Sequence, residues 1–266
     1  MKYTDAHAHV FEPGLPLANV RRYAPEYKAT KEMFANQLDS HEMQRGILIQ
    51  PSFLGTDNSY MIDAIDTYPD KLYGVAVIEP NVDFDVLREL DKHNIIGIRL
   101  NLYGKEIPDL STPVWQQCLS YIRELNWHVE LHIDACVLPR LITPLLEAGV
   151  KVVVDHFGKP NIEDPLGDEG FQYLLKQGNT KRVWVKVSAC YRLGGFEKGL
   201  EIAKNLLPHL LNSFGPRRLL WGSDWPHTQN ESTMTYDRAY EAMNELIGSD
   251  IREDILSTSV DELIYL

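Results

Sequence analysis

Cysteine is scarce in this chain of 266 residues: Cys118, Cys136 and Cys190 are odd in number and none is close to another. A disulfide framework and a thiolate metal centre are therefore excluded, and a reducing cytoplasm is the expected setting. No apolar run approaches the ~20 residues a helix needs to span a bilayer. Nor does an apolar stretch precede the first strand-like segment, so a soluble, unexported protein is expected. Basic residues are in the minority: 26 Lys and Arg stand against 38 Asp and Glu, a net charge of −12, with no block of positive charge. Such a surface repels phosphate backbones and anionic lipid, which sets aside nucleic-acid and membrane roles. A glycine-rich phosphate turn is missing after the first strand, where the chain reads Val10-Phe11-Glu12-Pro13-Gly14, and this counts against a doubly wound nucleotide-binding sheet. No Pro- or Ser-rich linker divides the chain, so residues 1–266 are expected to form one domain.

What is present is a repeated alternation. β-Branched runs at Tyr3–His9, Gly46–Pro51, Tyr73–Ile78, Ile96–Asn101, His128–Ile133, Val150–His156, Val183–Ser188 and Arg218–Asp224 predict strands. Helical spacing fills Lys31–His41, Asn58–Tyr68, Asp83–His93, Thr112–Asn126, Leu138–Ala148, Glu169–Gln177, Phe196–Ser213 and Met234–Ile247. Eight strand and helix units in strict alternation predict an α/β fold, a single (β/α)8 TIM barrel with parallel strands. The irregular stretch Phe11–Thr30 is long enough to lie over the barrel mouth as a lid. Two further helices, Ile251–Leu256 and Val260–Tyr265, are expected on the outside.

In a parallel barrel the helix-facing side of each strand is apolar, so polar residues on alternate positions point inward. By this alternation Asp5, His7 and His9 share one face of the first strand. Gly97, Arg99 and Asn101 face inward with Glu130 and His132, as do Trp184, Lys186 and Ser188, while Ile96, Ile98 and Leu100 face the helices. The strand ends add His156 and Asp224. Polar residues at C-terminal strand ends are where barrels keep their chemistry, and His7, His9, His132, His156 and Asp224 converge there. One inward histidine is more often a hydrogen-bonded core residue than a ligand, but five convergent residues from four strands point to a site. Arg99 can grip a substrate carboxylate with a bidentate pair or form an interior ion pair with Glu130.

His7-x-His9, His156 in Val-Asp-His-Phe-Gly-Lys-Pro, and Asp224 in Trp-Gly-Ser-Asp-Trp-Pro-His resemble the amidohydrolase superfamily, in its amidohydrolase-related branch. Within that branch the chain is similar to the lactonases of the 2-pyrone-4,6-dicarboxylate type. The resemblance implies a hydrolase that opens a cyclic ester of a carboxylated small molecule, with Asp224 as general base and His7, His9 and His156 polarising the carbonyl. It also implies substrate contacts from Tyr23, Ser52 and Arg99. Where that lactonase has a second arginine after the Gly-Ile-Arg segment, this chain has Lys105, which becomes a candidate contact. Where it has a tyrosine this chain has His132, which completes with His7, His9, His156 and Asp224 the ligand set of metal-dependent relatives. One divalent cation, Zn or Mn, and metal-free catalysis both stay open, as does assembly into a homo-oligomer. Two other readings stand beside the lactonase: a metal-dependent non-oxidative decarboxylase of the same branch, and a non-catalytic barrel that binds an anionic small molecule.

Overall fold

A computed structural model describes residues 2–266. Eight parallel strands run in sequence order around one sheet: β1 (Thr4–Ala8), β2 (Arg45–Ile49), β3 (Leu72–Ala76), β4 (Ile95–Asn101), β5 (His128–His132), β6 (Lys151–Val154), β7 (Val183–Lys186) and β8 (Leu219–Leu220). Beyond β8 the extended chain zips onto β1 and closes the cylinder: Ala6 N–H donates to Trp221 O at 2.8 Å, Asp224 N–H to His7 O at 2.8 Å and His9 N–H to Trp225 O at 2.7 Å. This is the expected (β/α)8 barrel. Its last strand is shorter than the sequence indicates because the segment after Leu220 bonds through separate bridges instead of a regular ladder.

Helices α1 (Lys31–Ser40), α2 (Ser59–Thr67), α3 (Phe84–Lys92), α4 (Pro113–Glu124), α5 (Leu138–Glu147), α6 (Glu169–Lys176), α7 (Phe196–Phe214) and α8 (Tyr236–Leu246) separate and follow the strands. Their starts carry local signals: Thr30 accepts from Met33 N, Asp168 from Gly170 N and Phe171 N, and Thr235 from Arg238 N. Each cap satisfies backbone donors that the first turn leaves free, worth about 1 kcal/mol. Among the described residues no helix is long and apolar enough to cross a membrane.

Three features depart from the alternation read in the sequence. In β1 the register with β2 passes from Asp5↔Gly46 to Ala8↔Leu48, three residues against two. That bulge turns Asp5 away from His7, toward Ser223 and the Tyr236 hydroxyl of α8, while Ala6 and His7 face the interior. In β4 the register passes from Gly74↔Ile95 to Val75↔Gly97, and the extra residue, Ile96, drops into the barrel floor instead of facing the helices. Finally, the chain after α8 forms α9 (Ser249–Glu253), a π-helical turn and α10 (Ser259–Tyr265), which does not lie on the outer ring as expected. Val260 and Leu263 instead pack with Ala6, Ile47, Ile49, Val75, Val153, Trp184 and Leu220, plugging the end of the barrel opposite the mouth. Lys151 Nζ donates to Leu263 O at 2.6 Å and Arg45 pairs with Asp261 at 2.7 Å, fixing the plug.

The segment between β1 and α1 is pinned at its base by paired backbone bonds between Phe11 and Ala29, at 2.8 and 2.9 Å. Its middle reaches across the mouth, where the Tyr23 hydroxyl meets Thr228 Oγ1 at 3.2 Å and the Tyr27 hydroxyl donates to Glu231 at 2.6 Å. It covers the mouth as a lid would.

Closure of β8 on β1 is tight enough to be tested. A Cβ added at Gly222 would stand 2.4 Å from His7 N and 2.5 Å from His7 Cβ. Gly222→Ala is therefore expected to cost ~1–3 kcal/mol, as overpacking does, and to displace His7. Urea unfolding and turnover should both fall; wild-type values for both would show that the β1–β8 seam is looser than described.

Candidate active site

The interior above the apolar floor is charged. Lys186, Glu130, Asp155 and Arg99 project into it from four strand segments and are each almost fully buried. Lys186 Nζ lies 2.5 Å from Glu130 Oε2 and 3.6 Å from Asp155 Oδ1, while Arg99 donates to Asp155 Oδ2 at 2.8 Å and approaches Glu130 Oε1 at 3.5 Å. Two cations and two carboxylates thus balance in an almost fully buried layer. Burial would raise Asp155, but the positive groups around it win and hold it well below the usual carboxylate range. Glu130 goes the other way, pushed up to about 7 by burial and by the charge of Asp155.

His7 sits on this layer, with its Nδ1 2.9 Å from Lys186 Nζ. Its ring meets those of His9 and His156 at centroid distances of 5.0 and 4.8 Å. Burial, followed by the Lys186 charge, keeps the imidazole neutral, well below its ordinary pKa. His9 Nδ1 is 2.7 Å from Ile49 O; since a carbonyl only accepts, this nitrogen carries the proton. His156 Nδ1 is 2.9 Å from Ser188 Oγ, and His132 Nδ1 is 3.1 Å from Asn101 Oδ1. His156 does not follow strand alternation. Its φ of 49° is left-handed, and so is the φ of 60° at Asp224; both residues leave their strands through turns that re-aim the side chain.

Asp224 is 1% exposed and its two oxygens have different surroundings. Oδ2 accepts from the Tyr191 hydroxyl at 2.7 Å and from Arg192 Nε at 2.5 Å. Oδ1 faces His9 Nε2 at 3.4 Å and His7 Nε2 at 3.6 Å. Burial alone would raise this carboxyl, but Arg192, first among its neighbours, outweighs that and holds it well below the usual range. Asp224 is thus an anion with one oxygen held and the other turned to the imidazoles.

Above these groups opens a cavity of about 360 Å³. His9, His132, His156, Asp224, Arg99, Ser52 and Tyr23 line it, so the structure brings these candidates from the sequence to one place, with His7 beneath them. Lys105 is not among the lining residues; it lies exposed in the turn after β4. The loop there points its Tyr103 ring inward instead, flanked by Lys159 Nζ at 3.7 Å and by the Arg22 guanidinium at 5.2 Å. Sequence reasoning passed over Arg22, Lys159, Tyr191 and Arg192, all of which line the cavity. Alternation carries no signal for residues on loops; for Tyr191 and Arg192 the only cue was their place just past the end of a barrel strand.

Among the described residues two groups of side chains could hold a metal ion, His7 with His9 and Asp224, and His7 with Asp155 and His156, their ligand atoms lying within 4.8 Å of one another. Both carboxylates already carry a guanidinium: Arg192 on Asp224 and Arg99 on Asp155.

Comparison with known proteins identifies the family. The amidohydrolase family profile matches residues 4–258, and the chain belongs to that family. It is 30% identical to the 2-pyrone-4,6-dicarboxylate hydrolase of Comamonas testosteroni over 244 residues, covering 88% of this chain and 79% of that protein. It is 28% identical to the 4-sulfomuconolactone hydrolase of Rhizobium radiobacter, covering 84% and 75%. Among solved structures, the probable 2-pyrone-4,6-dicarboxylic acid hydrolase of Acinetobacter baumannii with citric acid bound superposes with a TM-score of 0.96 at 40% identity over the full length of both chains. A 2,6-dihydroxybenzoate decarboxylase shares the fold alone, at 14% identity and a TM-score of 0.66.

The buried histidines set how stability responds to acid. His156 and His227 are lowered to about 4, chiefly by burial, and burial drives His7, His128 and His132 well below their ordinary value. Each binds fewer protons folded than unfolded, so stability is lost as pH falls from ~6.5 toward the folded values. Glu130, raised to about 7, and Asp5, raised to about 6, act in the opposite direction but are outnumbered. The urea midpoint should therefore drop between pH 7 and pH 5, and a midpoint that holds or rises would contradict the neutral histidine cluster.

Proposed function

We propose that this chain hydrolyses a lactone that carries two anionic substituents, with Asp224 as general base and without a resident metal. The observation that carries the reading is the asymmetric setting of Asp224: an ionised carboxylate anchored through Oδ2 by Tyr191 and Arg192, with Oδ1 turned toward His7 and His9 under an open cavity. A carboxylate so placed takes a proton from water as the water oxygen attacks the lactone carbonyl. The imidazoles of His7, His9 and His156 surround the position of the developing oxyanion. Stabilisation of that charge by fixed donors in a buried site is worth several kcal/mol. The tetrahedral intermediate then collapses, the ring C–O bond breaks, and the departing oxygen takes the proton held on Asp224.

Arg192 explains how so depressed a carboxylate can act as a base. Its guanidinium also lines the cavity, so a substrate carboxylate that shares it weakens its hold on Asp224 and raises the carboxylate's proton affinity when the water must be activated. Two arginines already on the carboxylates supply the positive charge a divalent ion would bring there, and for this reason the donor set is read as working without one.

The substrate class follows from the relatives and from the charge of the cavity. The relatives' names specify a pyrone dicarboxylate and a sulfomuconolactone, each a lactone with acidic groups, and the superposed A. baumannii structure holds citric acid. In this chain Arg99 and Arg192 are paired with acids. At the rim, Lys159 and Arg22 flank Tyr103 with a single carboxylate, Asp134, at 3.5 Å from Lys159. That positive surplus on a chain of net charge −12 favours a substrate with an acidic group at the rim as well as one deeper.

Asp224→Asn should lower kcat on a lactone dicarboxylate by ~10²–10⁴ while leaving the circular dichroism spectrum unchanged; substantial residual turnover would remove Asp224 as the base. Arg22→Gln combined with Lys159→Gln should raise KM about tenfold, the worth of ~1.4 kcal/mol, for a dianionic lactone and much less for a monoanionic one. Equal effects on both substrates would place the second acidic group elsewhere.

A further inference from the structure

Lys186 is a buried cation that the catalytic steps do not use. It is 2% exposed, lies under the cavity and not on its wall, and its ammonium is held by Glu130 at 2.5 Å with Asp155 at 3.6 Å. Its third contact, 2.9 Å away, is His7 Nδ1. An ammonium has three protons and no lone pair, so it can only donate. His7 Nδ1 must therefore accept, and the single proton of the neutral imidazole resides on Nε2. That nitrogen is fully buried, has no hydrogen-bond partner among the described residues, and is directed at the space beside Asp224 Oδ1, 3.6 Å away. His9 uses the corresponding nitrogen in the opposite sense, since its Nδ1 donates to Ile49 O. Within one His-x-His pair Nδ1 is thus an acceptor in His7 and a donor in His9.

We propose that Lys186 is the positioning residue that sets the tautomer of His7, making its Nε2–H a hydrogen-bond donor to the reacting carbonyl oxygen and denying that nitrogen to a divalent ion. Both candidate metal groups include His7, and in each its contribution is a lone pair. With Lys186 in place Nδ1 is taken by the ammonium and Nε2 by its own proton. Without it, Nδ1 would face Asp155 Oδ1 at 3.4 Å and Glu130 Oε1 at 3.6 Å. Two carboxylate acceptors demand a proton on Nδ1, so the tautomer would invert, and Nε2 would turn a lone pair toward His9 Nε2 and Asp224. One buried ammonium thus decides whether the His-x-His pair is a hydrogen-bonding site or the start of a metal site.

The donor role rests on the lactonase reading, whereas the tautomer is measurable without substrate. Two-bond 1H–15N correlation spectra of the 15N-histidine-labelled protein, with His7 assigned by the cross-peaks lost in His7→Gln, should show a protonated Nε2 and an unprotonated Nδ1. A protonated Nδ1 in the wild type overturns the proposal whether or not any lactone is turned over. Lys186→Met should move the proton to Nδ1, lower kcat ~10²–10³-fold, as loss of one oxyanion donor does, with KM little changed, and allow one equivalent of Zn2+ to bind in calorimetry where the wild type takes none. Because Lys186→Met leaves a buried carboxylate unbalanced, Lys186→Met with Glu130→Gln provides the same test at conserved interior charge, with Asp155 still beside Nδ1. An unchanged tautomer and unchanged zinc affinity in that double variant would show that Lys186 is structural ballast. Inversion of the tautomer in a protein whose wild type opens no lactone would sustain the proposal for Lys186 and reject the functional reading.

Discussion

The contact between the Lys186 ammonium and His7 Nδ1 is the constraint on which the upper half of the barrel depends. A lysine can be sealed there only because Glu130 and Asp155 neutralise it, and those two carboxylates can share the space only because Arg99 joins from the other side. Removing any one member leaves an uncompensated buried charge, a loss that typically runs to ~3–5 kcal/mol. Replacing the whole set by well-packed apolar side chains would be nearly neutral for stability, so stability alone does not account for the layer. What the charged layer supplies is orientation: it presents His7 in one protonation state to the cavity above.

Backbone irregularities deliver the side chains to that layer. The bulge in β1 places Ala6 in the floor and His7 above it, although neighbouring residues of a regular strand would point to opposite faces. Asp5, freed from the interior, accepts from Ser223 N and Oγ, His7 N and the Tyr236 hydroxyl, and so ties β1 to the segment after β8 and to α8. The same seam carries Asp224, and the absence of a side chain at Gly222 allows the two segments to approach. Asp224 and His7 are thereby held by one set of backbone bonds, and the spacing between His7 Nε2 and Asp224 Oδ1 follows from barrel closure.

The sequence made the barrel legible because eight strand and helix units in strict alternation have few other solutions. The pattern of Val129, Leu131 and Ile133 against Glu130 and His132 was enough to place charged side chains inside. Legibility ended where the period broke. Ile96 and Asp5 were assigned to the wrong faces because a bulge adds one residue to a strand, and this insertion depends on pairing with a neighbour remote in sequence. The loop residues were harder still. Lys105 looked like the spare cation near β4, but the turn there buries Leu102 and leaves Lys105 in solvent, while Lys159, in a left-handed conformation after His156, comes to the Tyr103 ring. Arg192 follows Ala189, itself left-handed at a φ of 50°, and a short 3-10 turn carries its guanidinium back over Asp224. The plug by α10 was invisible for a related reason: an amphipathic helix of seven residues shows that it covers apolar surface, and not which end of a barrel it covers.

Under the proposed function, the arrangement of charge around the cavity makes selection of an acidic substrate and activation of water share the same groups. A guanidinium committed fully to a carboxylate attracts no ligand, and one left free does nothing to hold a base in place. Arg192 is intermediate, with its Nε on Asp224 and its NH2 group 3.4 Å from Thr228 O, a weak contact that an acidic ligand can replace. Arg99 lies deeper, bonded to Asp155 and 3.5 Å from Glu130, and its place in the cavity wall adds positive potential more than an open donor. The rim cations are the least engaged and lie farthest from the chemistry. From floor to mouth, the positive groups pass from locked to free, so that the proposed anionic substrate would be drawn inward by charges that can reach it and come to rest against charges that already hold Asp224 and His7.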